Sequence, residues 1–332
     1  MVEPQQERTA RARGARRVAL TGATGFIGSA VLGALARGRD ELPGRERFVI
    51  RVLGRRLPDE AAALVDEWVP VDLSEPRTVD GACGGVDVLL HLAAALGPDE
   101  ERCARINVGG TAALAGEAGR AGVRRMVHLS TSAVYGPGPH RGIAVNEVAP
   151  APTSAASRTR LAAEEHALAA GAVVLRPGLV TGAGDRWVVP ALTRLLDVAP
   201  GLWDGGRGLL SMVDVDDLAR LFVRLASSSR PVGGTVWHAS HPLPVRTGDL
   251  LASLAVSGVL PAVEEELAWE ECLRLLRASR SPLNERQFAL LARDHWYDSA
   301  EIWRLAVCPP GPGPLARLDA AAEWYRSACS VG

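Results

Sequence analysis

The chain has 332 residues, 47% of them hydrophobic and 23% charged, with a formal net charge of −1 at pH 7. That length predicts one large domain carrying a smaller appended one, and the near-zero charge gives no field to attract nucleic acid or anionic lipid, which leaves a small molecule as the expected partner. The first 16 residues are polar and Arg-rich without a signal-peptide core, and no apolar run approaches the roughly 18 residues of a membrane span. They are read as a disordered tail on a cytoplasmic protein without membrane contact. Five cysteines (Cys83, Cys103, Cys272, Cys308, Cys329) have no C-x-x-C spacing and an odd count. They read as buried free thiols, with neither a metal site nor a disulfide framework. All 37 basic residues are Arg, a bias that fits a GC-rich genome.

In chain order, Val18 to Thr21 predicts a short strand that enters a Gly-rich turn, and Phe26 to Arg37 carries apolar residues at helical spacing. Further strands are expected at Phe48 to Leu53, Trp68 to Leu73 and Val86 to Ala94. Their largely continuous apolar character belongs to a parallel sheet covered on both faces. A helix near Arg102 to Arg120 leads to a strand at Arg124 to Ser130. A Pro-rich loop (Gly136 to Pro152) precedes a helix at Ser154 to Ala169 and a strand at Val173 to Leu179. This alternation of strand and helix predicts βαβ units in a doubly wound α/β fold. The pattern loosens after Thr181, so residues 17–180 are expected to form a dinucleotide-binding domain, to which the chain returns around 213–240, and 181–330 mostly a substrate-binding domain. Cys308 to Pro314 reads as a turn before a last helix ending near Tyr325.

The turn Thr21-Gly22-Ala23-Thr24-Gly25-Phe26-Ile27-Gly28 puts glycines where a chain leaving a strand must turn tightly and approach a pyrophosphate, with a helix N-terminus facing the phosphates. At the end of the second strand, where an acidic residue would bind the ribose hydroxyls of NAD, stand Arg55 and Arg56. Guanidinium groups suit a 2′-phosphate, which favours NADP(H) over NAD(H).

With its G-x-x-G-x-x-G spacing, the chain resembles the extended short-chain dehydrogenase/reductase family. Segments in matching order are Val71-Asp72-Leu73, His91-Leu92-Ala93-Ala94, Asn107-Val108-Gly109-Gly110-Thr111, Ser130 to Gly136, Leu175-Arg176-Pro177 and Val213 to Ala219. The resemblance covers roughly residues 17 to 326. It implies a Rossmann-type fold in which Gly22, Thr24, Gly25, Phe26, Ile27, Gly28, Asp72, Leu73, Leu92, Ala93, Ala94, Asn107, Arg160 and Pro177 contact the cofactor beside Arg55 and Arg56. It also implies a homodimer through the helices near 102–120 and 154–169.

The family's catalytic order is P-x-S-x-Y-x-x-S-K-L-x-x-E, against Pro152 to Glu164 here. Ala156 stands at the Tyr position and Arg160 at the Lys position, while Thr131 matches the Ser/Thr that hydrogen-bonds the substrate oxygen. Thr131, Arg160 and Tyr135 are the catalytic candidates. Tyr135, His140, in a loop, and Asp185, where the family's substrate loop begins, are the side chains considered as replacements for the missing proton donor. Leu210 stands where family members acting on nucleotide-sugars carry a diphosphate-gripping Arg, and Arg207 comes three residues early. The apolar residues nearby (Trp187, Leu202, Trp203, Leu209, Met212) suit a less polar substrate or a plain core.

The expected function is an NADP(H)-dependent oxidoreductase acting on a carbonyl or secondary alcohol of a small metabolite in specialised biosynthesis, with a non-standard proton donor. The loss of Tyr keeps two alternatives open: a non-redox cyclase, isomerase or lyase on the same scaffold, and a dinucleotide-binding protein without catalysis.

Overall fold

The computed structural model describes residues 15–41, 48–228 and 233–329. Most of the expected tail, residues 1–14, lies outside them, as does the side chain of Cys329. The other four cysteines are buried thiols outside any disulfide among the described residues.

The chain divides into two compact units. The first comprises Met1–Leu129, Thr159–Val174 and Ala219–Thr235, as far as these are described. Its frame is a sheet of seven strands in the order β12-β7-β5-β4-β1-β2-β3. These are β1 (Arg16–Thr21), β2 (Phe48–Gly54), β3 (Glu67–Pro70), β4 (Val88–His91), β5 (Arg125–Leu129), β7 (Val173–Arg176) and β12 (Thr235–His238). The pairings from β3 through β2, β1 and β4 to β5 are all parallel. β4 and β7 are buried along their whole length, as strands covered on both faces must be. Helices follow the strands, among them α1 (Phe26–Glu41), α2 (Gly110–Arg120) and α3 (Ala155–Ala169). The fold is the doubly wound, Rossmann-type α/β architecture expected from the sequence.

Two expected elements are shorter. The third strand ends at Pro70 instead of Leu73, because Asp72 opens a turn in which its carboxylate accepts from Ser74 N at 2.9 Å. The helix expected from Arg102 runs through a π-helical stretch, Ala104–Gly109, before α2 begins.

The second unit comprises Ser130–Arg158, Leu175–Leu218 and Val236–Gly332, as far as described. The boundary therefore differs from the expected break near 180: residues 130–158 belong with the C-terminal part. The expected Pro-rich loop contains a strand, β6 (His140–Ile143), which joins a second sheet with β10 (Leu209–Leu210), β13 (Val245–Arg246) and β15 (His295–Tyr297). The core packs α4 (Val188–Val198), α6 (Thr247–Val256), α7 (Trp269–Ala278) and α8 (Glu285–Ala292) around Trp203 and Phe288, whose rings meet edge to face at 4.8 Å. Trp203, Leu210 and Met212 are fully buried in this core. They serve packing, and an apolar substrate pocket built on them is not what the structure contains.

Candidate active site

The Gly-rich turn is built as its composition demands. Gly22 has φ +76°, and a Cβ there would lie 2.7 Å from Ala93 N; a Cβ on Gly28 would lie 1.9 Å from Gly22 O. At Gly25 a Cβ would meet only Gly22 O, at 3.3 Å. The backbone there is open, and α1 starts at the next residue with its first-turn N–H groups unpaired by the helix itself.

A polar chain that the sequence reading did not single out pins this turn. Leu92 N and Ala93 N donate to Thr21 Oγ1 at 3.1 and 3.2 Å, which leaves the threonine proton for His91 Nδ1 at 2.7 Å. The hydrogen of His91 then resides on Nε2 and is donated to Thr111 Oγ1 at 2.9 Å. The chain ties the ends of β1 and β4 to α2. Burial, reinforced by the Arg160 charge, pushes the His91 imidazole down to about 4, so it is neutral in this arrangement. The visible signal was a histidine ending an otherwise apolar strand.

A cleft of about 780 Å³ opens beside the turn, lined by Gly22, Ala23, Thr24, Arg55, Arg56 and Asp72 among others. Arg55 and Arg56 follow β2 and are exposed. Asp72 Oδ1 accepts from Ser74 N and from Ser74 Oγ at 2.9 and 2.7 Å. Those bonds, with a smaller contribution from Arg55, hold its carboxyl below the usual range. Leu73 is buried against Gly110, where a Cβ would lie 2.7 Å from Leu73 Cβ. Leu92 is buried, Ala93 half-buried and Ala94 exposed.

Asn107 is only 3% exposed. Its Oδ1 accepts from Ala95 N at 2.7 Å, and its Nδ2 donates to Ala95 O at 3.0 Å and Thr159 Oγ1 at 2.9 Å. Both ends of its amide thus help to fix the loop after β4.

Arg160 donates from Nη2 to Leu129 O, at the end of β5, at 3.0 Å. Burial pushes it down to about 10, with Glu164 opposing, so it carries its charge at neutral pH. The helix bearing it starts at a serine pair: Ser154 Oγ accepts from Ser157 N at 3.1 Å. Ala156 lies one turn before Arg160 on the same helix face and has no group that transfers a proton.

In the second unit, Thr131 caps a short 3-10 turn, its hydroxyl accepting from Ala133 N at 3.2 Å. Pro177 is buried, its carbonyl accepting from Ser132 N. The side chains considered as replacements for the proton donor are each held by structural contacts. Tyr135 is 2% exposed; its hydroxyl lies 2.8 Å from His238 Nε2 and accepts from Arg176 Nη1 at 2.8 Å. His140 lies on β6 and is buried, not in a solvated loop, and burial lowers its pKa. Asp185 caps α4, its carboxylate accepting from Trp187 N, Val188 N, Val189 N and the Tyr325 hydroxyl. The chain has three tyrosines, and Tyr135, Tyr297 and Tyr325 are each buried. Arg207 is exposed and pairs with Asp204 and Glu266.

The family model described as "NAD dependent epimerase/dehydratase family" matches residues 18–237. The chain is 32% identical over 255 residues (72% of each chain) to a 4-hydroxy-2-methyl-3-oxo-4-farnesyl-3,4-dihydroquinoline-1-oxide ketoreductase of Stigmatella aurantiaca. It is 29% identical over 310 residues, 85% of this chain and 91% of the other, to a 2-alkyl-3-oxoalkanoate reductase of Stenotrophomonas maltophilia (strain K279a). Among solved structures, gox2253 superposes with a TM-score of 0.72 at 22% identity, covering 94% of this chain and 98% of that one. MoeE5 in complex with UDP-glucuronic acid and NAD does so with a TM-score of 0.70 at 23% identity, covering 94% and 99%. These likenesses show the fold.

Proposed function

The chain belongs to the NAD dependent epimerase/dehydratase family, within the extended short-chain dehydrogenases/reductases, and from that premise we propose that it is an NADP(H)-dependent oxidoreductase acting on a carbonyl or secondary alcohol of a small metabolite. The observation that carries the cofactor preference is the pair of exposed guanidinium groups, Arg55 and Arg56, in the cleft beside the Gly-rich turn. The ketoreductase and the 2-alkyl-3-oxoalkanoate reductase to which it is similar support carbonyl reduction as the reaction type, and the ketoreductase supports a place in natural-product biosynthesis.

The residues present fit a dinucleotide. The turn leaves its backbone open at Gly25, the α1 N-terminus suits a pyrophosphate, and Arg55 and Arg56 suit a 2′-phosphate. Asp72, kept ionised by Ser74, would accept from the adenine amine, and Thr24, Phe26 and Ile27 would present backbone N–H groups to the phosphates. Leu92, Ala93, Ala94 and Pro177 would line the path toward the nicotinamide. When bound, the nicotinamide supplies or accepts a hydride. Arg160 would hold the ribose as a hydrogen-bond donor in place of the family's Lys, and Thr131 would hydrogen-bond the substrate oxygen. With alanine at 156, the proton reaches that oxygen from water, without the general acid that is typically worth about 10²- to 10⁴-fold in rate.

Ala156 also favours a second reading, a non-redox reaction on the same scaffold. It predicts substrate turnover with no change in the absorbance of reduced nicotinamide, whereas hydride transfer consumes or produces that absorbance in step with product. A homodimer and a cytoplasmic location complete the proposal, and no helix among the described residues is long and apolar enough to cross a membrane.

A further inference from the structure

The second unit contains a cavity of its own, about 270 Å³, that shares no lining residue with the dinucleotide cleft. Its apolar wall comes from Pro137, Pro139, Trp269, Leu273 and Ala289. Its polar lining includes Arg286 on α8 and Arg293 just beyond that helix, at the approach to β15.

The charges in this lining do not balance. Glu285, its carboxylate, is bonded to Arg277 at 2.6 Å. His295 accepts from Gly138 N at 3.1 Å on Nε2 and faces Arg293 O at 3.1 Å with Nδ1, an arrangement that fits the neutral ring. Arg286 has a buried Nε with no hydrogen-bond partner among the described residues, and burial lowers its pKa with no carboxylate to oppose it. The Arg293 guanidinium lies over the Trp269 ring at 5.1 Å, a contact that orients the cation without neutralising it. An Nε–H buried without an acceptor is costly unless a ligand completes it.

The geometry points to this cavity as a binding site for a small organic anion, a carboxylate on an aromatic or other apolar body. The carboxylate would meet Arg286, and the body would lie between Trp269, Leu273 and the two prolines. The class is distinct from that of a dinucleotide, and the inference does not rest on the oxidoreductase reading.

The test is calorimetric titration of the full chain with naphthoate and, separately, with the neutral naphthylmethanol, each sample also titrated with NADPH. Naphthoate is expected to bind at least tenfold tighter than the alcohol. Arg286→Gln is expected to bring naphthoate to the alcohol's level with its NADPH titration unchanged. Leu273→Trp, which fills the cavity without altering its charge, is expected to remove binding of both. Equal affinities for acid and alcohol, no naphthoate binding, or naphthoate binding insensitive to both variants would overturn the assignment. A change in NADPH titration alone bears on the dinucleotide cleft and not on this cavity.

Discussion

Arg55 and Thr131 separate the parts of the functional reading, one at the cofactor and one at the substrate oxygen. Arg55→Asp replaces a cation in the cleft with an anion and removes a charged hydrogen bond worth about 1.5–3 kcal/mol. NADPH should bind roughly ten- to a hundredfold more weakly, NADH no more weakly than before, in paired calorimetric titrations. Unchanged affinities for both would remove the 2′-phosphate reading. Thr131→Val keeps the shape of the side chain and deletes its hydroxyl; hydride transfer should fall by about 10²-fold or more, as for loss of one oxyanion donor, with cofactor affinity intact. Turnover equal to wild type would place the substrate oxygen elsewhere. At this scale much of the site was legible beforehand. The glycines lie in one continuous turn, Ala156 and Arg160 at fixed offsets on one helix, and Arg55 and Asp72 just past the ends of two apolar strands, so local spacing places them. The environment of a side chain is another matter. Nothing local to Tyr135 in the sequence shows that its hydroxyl is taken by His238 and Arg176, more than 40 positions away in either case.

Among the elements, α3 deserves a stability test because it carries both Ala156 and Arg160. Its start depends on Ser154, which accepts from Ser157 N, and the two hydroxyls also lie 2.8 Å apart. Ser154→Ala should cost about 1 kcal/mol, measured by urea unfolding, with the slope of the transition unchanged. A loss near zero would mean that neighbouring groups cap the helix instead. The strands of the first sheet were readable because parallel strands buried on both faces give continuous apolar runs. β6 was not, because its four residues, His140 to Ile143, show neither alternation nor an apolar run. It pairs with β15, which is remote in sequence, and that partner makes it a strand. Asp185 was open to two readings in the sequence, because an acidic residue three positions before a helical run is a capping signal as well as a chemical one, and its carboxylate accepts from the first N–H groups of α4.

For the molecule as a whole, buried histidines set the response to acid. Burial pushes His91, His238 and His295 each down to about 4 in the folded protein. In the unfolded chain they bind protons nearer 6.5. Between those values the unfolded state holds more protons, so stability is present above about pH 6.5 and is lost as pH falls toward 4. Asp214 acts in the opposite sense, since burial raises it to about 6 and the folded state then takes up its proton first. His128 and His140, also lowered by burial, act with these three, and the histidines together outweigh Asp214 and the likewise raised Asp185, so the midpoint of thermal unfolding should drop steadily over that interval. His295→Gln should flatten the slope, and a midpoint that rises on acidification would contradict the sign.

The division of the chain into two units was also only partly visible. A break near 180 follows from the loosening pattern, but residues 130–158 group with the C-terminal part through pairings such as β6 with β15 that no local signal announces.

The central claim is that this chain keeps an NADP(H) site while lacking the family's tyrosine. Calorimetric titration of the purified protein with NADPH and, separately, with NADH tests it most directly. The account predicts tight binding of NADPH and markedly weaker binding of NADH; binding of neither would contradict it and leave a scaffold whose chemistry, if any, needs no dinucleotide.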